Sequence, residues 1–224
     1  FMNRYALIVA GGSGSRMGTA VPKQFLELAR RPVLMHTIER FTTFDDSISI
    51  IVVLPEDHIG LWHNLTVRYS FHVSHRIIPG GATRFESVRN GLQLVDQRGL
   101  IAIHDGVRPL VSHDTITRCF TEAARSGNAV PVISPADSLR LITDQGNIPV
   151  NRHHLRLIQT PQVFDTELIK KAYLQEYSPE FTDDATLLER TGESIRLVEG
   201  NRENIKITNP EDLVVAEALM RKLQ

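Results

Sequence analysis

The chain has 224 residues, enough to bury a full hydrophobic core in one domain of ordinary size. Its 25 Lys and Arg side chains stand against 26 Asp and Glu, a formal charge of -1, so no overall positive field recommends nucleic acid or an anionic membrane, and any anion site must be local. The single cysteine, Cys119, excludes an intramolecular disulfide, no apolar run approaches the ~20 residues that span a bilayer, and no basic segment leads into a long apolar one at the N-terminus; a soluble cytoplasmic protein is expected.

Short apolar runs alternate with helix-period segments. YALIVA (5–10) reads as a strand, VLMHTIERF (33–41) as a helix, SISIIVVL (47–54) as a strand and DHIGLWHNLTVRYS (57–70) as a helix. HRIIP (75–79) and LIAIHD (100–105) are strands on either side of TRFESVRNGLQLV (83–95), where Val88, Gly91, Leu92 and Val95 keep helical spacing. SHDTITRCFTEAARSG (112–127) opens on cap-type residues and closes on Gly127, a helix signature, and NAVPVI (128–133) returns to strand. SLRLIT (138–143) and HLRLIQ (154–159) alternate apolar with polar around the turn-forming DQGN, which predicts a β-hairpin or extended arm at about 136–160. TELIKKAYLQEY (166–177) and DDATLLERTG (183–192) follow, then a strand ESIRLVEG (193–200) and a last helix NPEDLVVAEALMRKL (209–223), with Asn209 as cap and Pro210 in its first turn. Continuous apolar strands between amphipathic helices predict a Rossmann-like, mostly parallel α/β sheet with helices on both faces, one domain over 2–224 carrying the inserted arm.

The glycine-rich stretch AGGSGSRMGTAVPKQ (10–24) directly follows the first strand, at the edge where open α/β sheets bind ligands. Gly11, Gly12 and Gly14 allow the backbone to approach an anion closely and to aim several N–H groups at it. Neither familiar phosphate loop fits: G-x-G-x-x-G would need glycine at Met17, and the G-K-[S/T] of a P-loop is absent. The loop instead adds two fixed cations, Arg16 and Lys23, the latter behind Pro22. HDGVRP (104–109) places Asp105 and Arg108 at the end of another strand, GGATRFESV (80–88) repeats the two-glycine device ahead of Ser87, and KIT (206–208) puts Lys206 at a further strand end. Taken singly, each has a plain reading as a surface pair, a helix cap or a solvated lysine. Together they carry groups suited to a phosphate or polyol at one sheet edge.

AGGSGSRMG…VPKQF, GGATR..SV, HDGVRP, QTPQVF, FTDDA and NIKITNPEDL, in this order from about Tyr5 to the last helix, resemble the 2-C-methyl-D-erythritol 4-phosphate cytidylyltransferases of the non-mevalonate isoprenoid pathway. The resemblance implies transfer of CMP from CTP to the phosphate of methylerythritol phosphate, with magnesium, by a homodimer joined through the arm. It matches Arg16 and Lys23 to transition-state stabilisers and Lys206 to a third basic residue at the reacting phosphates. It lays the nucleotide across Ala10, Gly11, Gly12, Ser13 and Gly14, with the cytosine edge at Gly81 and Ser87. It gives the acceptor to Asp105, Arg108 and Thr160, and to Ser138 and Arg152 from the partner subunit's arm. Relatives often carry threonine at Ser138 and alanines at Gly106 and Val107, substitutions that keep the hydroxyl and leave Asp105 and Arg108 in place. Magnesium would ride mainly on the CTP phosphates; no protein ligand is assigned, Asp105 being the nearest candidate.

Several alternatives stay open on the sequence. A ribitol-5-phosphate cytidylyltransferase shares the glycine loop, VPKQ and HDxxRP. A nicotinamide-binding oxidoreductase would share the α/β pattern but lacks its third glycine, and a silent binding module would not need every basic position filled. His153 and His154 are adjacent, so on a strand they would point to opposite faces and could not ligate one metal together. Asp183 and Asp184 read as metal ligands or helix-starting acids, with Thr182 or Asp183 as cap. Trp62 and Cys119 read as packing residues.

Overall fold

A computed structural model of the chain describes residues 2–11 and 21–223. The first strand, β1 (Asn3–Val9), lies in the middle of the principal sheet, paired in parallel with β4 (Ser49–Leu54) on one side and β6 (Gly99–Asp105) on the other. β4 pairs in parallel with β5 (Arg76–Pro79). Beyond β6 comes the antiparallel β11 (Gln162–Asp165), which also joins β7 (Asn128–Ile133); β7 takes β12 (Leu197–Glu199) in parallel and the short β10 (Leu157–Ile158) antiparallel. β2 (Glu27–Leu28) and β3 (Arg31–Pro32) form a small separate ribbon.

Alternation along β1 explains the layering, because successive side chains leave a strand on opposite faces. Ala6 and Ile8 enter one core with Phe41 of α1 (Val33–Thr42), Trp62 of α2 (Glu56–Arg68) and Phe120 of α4 (His113–Ser126). Tyr5 and Leu7 enter the other, with Val88 of α3 (Arg84–Leu92), Ile169 of α5 (Thr166–Ala172) and Leu188 of α6 (Asp184–Glu189). A third cluster packs Ala216 and Met220 of α7 (Pro210–Leu223) against Leu28, Val107 and Ile207, which brings the chain around Lys206 beside the HDGVRP turn.

The helix signals in the sequence have visible causes. Thr83 and Glu86 form a reciprocal capping box at the start of α3, Ser112 accepts from the Thr115 N–H at the start of α4, and Gly127 closes α4 in the left-handed region at φ 87°. Four expectations need correction. The arm is a hairpin of β8 (Leu139–Thr143) and β9 (Gly146–Val150), not of 138–143 with 154–159: Gly146, at φ 128°, lets the chain reverse within two residues, and Leu157–Ile158 joins β7 instead. His153 and His154 therefore lie in a short 3-10 turn, Arg152–His154, and not on a strand. Lys206 ends no strand; beside it the Ile207 N–H donates to the Val107 carbonyl, 3.0 Å. α5 also stops at Ala172, where Tyr173 turns inward to stack on Phe85.

Candidate active site

Strand register builds the site. Val9 stands opposite Val53 of β4 and Asp105 of β6, and the carboxyl ends of β1 and β6 open, together with the loop after β5, on one cavity. Backbone bonds extend the sheet into it: Ala10 N–H to Val53 O, Gly80 N–H to Leu54 O and Gly106 N–H to Val9 O, each at 2.8–2.9 Å. A Cβ on Gly106 would meet the Ala10 Cβ at 2.8 Å, so glycine lets this turn close against the end of β1.

Ala10 and Gly11 line one wall. The buried Gln24 fixes it by donating from Nε2 to the Ala10 carbonyl, 2.9 Å. Gln24 and the neighbouring Phe25, which stacks on Trp62, anchor the 3-10 turn that carries Lys23 into the cavity. The opposite wall is Gly81 and Ser87: the Ser87 hydroxyl accepts from the Gly81 N–H (3.1 Å) and donates to the Thr83 carbonyl (2.9 Å).

Asp105 and Lys206 form the floor. The Asp105 Oδ2 receives Arg108 Nε at 3.0 Å and Lys206 Nζ at 3.1 Å. Burial alone would raise the Asp105 carboxyl pKa; Lys206, then Arg84 and Arg108, more than offset this and hold it well below the usual carboxylate range. Asp105 is therefore an ionised anchor for cations, unable to lend or take a proton near neutrality. Arg108 also donates from Nη1 to the Asn204 carbonyl, 2.8 Å. Thr160, almost fully buried, accepts the Asp105 N–H on its hydroxyl, 3.1 Å.

The structure thus brings Ala10, Gly11, Lys23, Gly81, Ser87, Asp105 and Lys206 to one cavity, with Arg108 and Thr160 directly behind Asp105. Ser138 and Arg152 lie on the arm and line no part of it. Arg152 donates to the Ala136 carbonyl and shares a separate basic depression with Arg156 and Arg202. Gly12, Ser13, Gly14 and Arg16 fall outside the described residues.

Sequence reasoning missed Arg84, which lines the cavity from the first residue of α3. Its guanidinium grips Asp184 at both oxygens, 3.0 and 2.5 Å, and Asp184 also receives the Tyr173 hydroxyl. Asp184 is fully buried at the first position of α6, a helix-starting acid that is also the ion-pair partner of Arg84; Asp183 is the cap, accepting from the Thr186 N–H. Arg84 and Asp184 are 100 residues apart, so no local pattern signals the pair. Burial pushes the Cys119 thiol up to about 12, which leaves it inert as a nucleophile.

A glycine wall, converging cations and an ionised anchor at the carboxyl edge of this sheet define a nucleotide-binding α/β enzyme of the nucleotidyltransferase class. Residues 5–222 match the family model described as IspD, 2-C-methyl-D-erythritol 4-phosphate cytidylyltransferase, and the chain belongs to that family. It is 52% identical over 219 residues to the enzyme so named from Bacteroides fragilis, covering 98% of this chain and 100% of the relative. It is 50% identical to the one from Porphyromonas gingivalis, with 97% of each chain covered. Among solved structures, the 4-diphosphocytidyl-2C-methyl-D-erythritol synthase of Anaerococcus prevotii superposes with a TM-score of 0.83 at 29% identity, over 98% of this chain and 96% of that one. The Thermus thermophilus 2-C-methyl-D-erythritol 4-phosphate cytidylyltransferase gives 0.77 at 33%, over 96% and 98%.

Proposed function

We propose that the protein transfers CMP from CTP to 2-C-methyl-D-erythritol 4-phosphate, giving 4-diphosphocytidyl-2-C-methyl-D-erythritol and pyrophosphate in isoprenoid precursor biosynthesis. The observation that carries this reading is the convergence of Lys23, Arg84 and Lys206 on a cavity whose one carboxylate, Asp105, is held ionised by its neighbours. The acceptor phosphate is largely dianionic at neutral pH and is already a nucleophile. A bond forms from its oxygen to the α-phosphorus, and the α–β bridging bond breaks with its electron pair leaving on pyrophosphate. No base is required. The difficulty is bringing two polyanions together, which fixed cations solve.

Lys23 and Arg16 are assigned to the charge developing on the α-phosphate, and Lys206 to the incoming phosphate beside Asp105 and Arg108. The Ser87 hydroxyl oxygen, an acceptor in the cavity wall, suits the exocyclic amine of cytosine, a donor that uracil does not have. The carboxylate in the cavity already holds two cations on one oxygen, which suits a magnesium ion carried mainly by triphosphate oxygens; bound there, it would neutralise nucleotide charge. Arg152 and Ser138 are assigned to the site of a second copy in a homodimer. Their place on an arm that exposes Leu141, Ile142 and Ile148, away from their own cavity, supports this. The buried free thiol agrees with a cytoplasmic location.

The test is to supply CTP and magnesium with either methylerythritol phosphate or ribitol 5-phosphate and follow pyrophosphate. Rapid release with methylerythritol phosphate is expected. Faster turnover with ribitol 5-phosphate would overturn the acceptor, and tight NADH binding with none for CTP would overturn the class.

A further inference from the structure

Lys23 stands on no strand or long helix; its 3-10 turn takes its footing from the buried Gln24 and Phe25. Phe25 stacks on Trp62 of α2, ring centroids 5.9 Å apart at 13°, and the indole is completely buried. Trp62 Nε1 donates to His75 Nε2 at 2.9 Å, and His75 Nδ1 lies 2.7 Å from the Val73 carbonyl. Phe71 closes the cluster, edge-on to Trp62 and tilted against His75.

These contacts fix the protons on His75. The indole N–H can only donate and the Val73 carbonyl can only accept, so Nε2 must be bare and Nδ1 must carry the hydrogen. A second proton would sit on Nε2, set two donors against each other and leave the buried indole N–H without an acceptor. The titratable and charged groups around the cluster are His63 of α2, Asp46 after α1 and Arg76 of β5, with His58 edge-on to Phe25 and Arg31 over Phe71. Burial is the largest influence on the His75 ring and lowers its pKa from the ordinary 6.5; a charged His63 acts the same way, and the bond to Val73 opposes them only in part.

We propose that His75 and Trp62 are positioning residues for the reaction: the uncharged His75 ring holds the indole, the indole holds Phe25, and Phe25 keeps the turn that presents Lys23 to the reacting phosphate. This rests on the function proposed above. Neither residue lines the cavity. Loosening the stack displaces a charge-stabilising amine without removing it, which costs rate more than binding. Activity should therefore fall as His75 takes up a proton.

The test combines steady-state kinetics with fluorescence of the full chain between pH 8 and pH 5, where Trp62, the single tryptophan, is the reporter. H75Q supplies an uncharged acceptor that does not titrate, and H75F supplies none. At pH 8, kcat is expected to fall about 10-fold in H75F, with the KM values for CTP and acceptor changed less than about threefold, and to stay within about twofold of wild type in H75Q. The ratio of wild-type to H75Q kcat, in which titration of the acceptor phosphate cancels, should be constant above pH 6.5 and fall below it. Wild-type Trp62 emission should change over the same range as its hydrogen-bond acceptor is lost, and H75Q emission should not. Wild-type kcat in H75F, or a kcat ratio and Trp62 emission both flat down to pH 5, would overturn the proposal. The second result is decisive even if H75F fails to fold. Absence of turnover in the wild type would instead sink the proposed function, and the emission would still decide whether His75 governs Trp62.

Discussion

Lys23 lines the cavity from a 3-10 turn whose next two residues, Gln24 and Phe25, are buried. Replacing it with alanine should lower kcat about 100- to 1000-fold, the usual consequence of removing a preorganised charge-stabilising donor, with the far-UV spectrum and Tm retained. Unchanged kcat would remove Lys23 from the mechanism. His104 makes a stability prediction. Its folded pKa lies near 4 against an ordinary 6.5, so the unfolded chain takes up a proton first as pH falls. The stability is fully present above pH 6.5 and is lost towards pH 4, by about 2–3 kcal/mol at pH 4.5. Urea unfolding at pH 7 and pH 4.5 should show a smaller loss for H104Q than for the wild type; equal losses would contradict a buried neutral ring. Lys23, Ser87, Asp105 and Lys206 were legible in sequence because each belongs to a short segment that ends or follows an apolar run. Arg84 with Asp184, and His104 with Thr160, were not: those pairs are 100 and 56 residues apart, and only the folded sheet makes them neighbours.

Elements with chemical end signals were read nearly to the residue. Ser112 and Gly127 bound α4, and Thr83 with Glu86 begins α3. The arm was recognised, but its second strand was misplaced, because alternation in 154–159 fits pairing with any neighbour while Gly146 dictates reversal at once. β11 was not read as a strand at all. Only Val163 and Phe164 of its four residues carry an apolar signal, yet they are fully buried between β6 and β7. The arm's assigned role gives a complementation test. R152A should raise acceptor KM more than CTP KM. Mixing it with K23A should recover about a quarter of wild-type activity, since half of randomly paired dimers are mixed and each has one intact site of two. No recovery in verified mixed dimers would place Arg152 in the site of its own chain.

At the scale of the whole molecule, the near-neutral charge and the local cluster of cations belong together. The fold does not attract polyanions generally; it concentrates Lys23, Arg84 and Lys206 where β1, β5 and β6 end. The α/β class followed from the periodicity of the strands and helices, whereas the insertion of antiparallel β11 into a parallel sheet depends on long-range pairing that periodicity does not encode. The most direct measurement is 31P NMR of the purified protein with CTP, methylerythritol phosphate and magnesium. The account predicts loss of both substrate signals, one new pair of coupled diphosphate resonances and one pyrophosphate per turnover, faster than with ribitol 5-phosphate. Unchanged CTP and acceptor signals, or CMP and free acceptor without a new diphosphate, would contradict it.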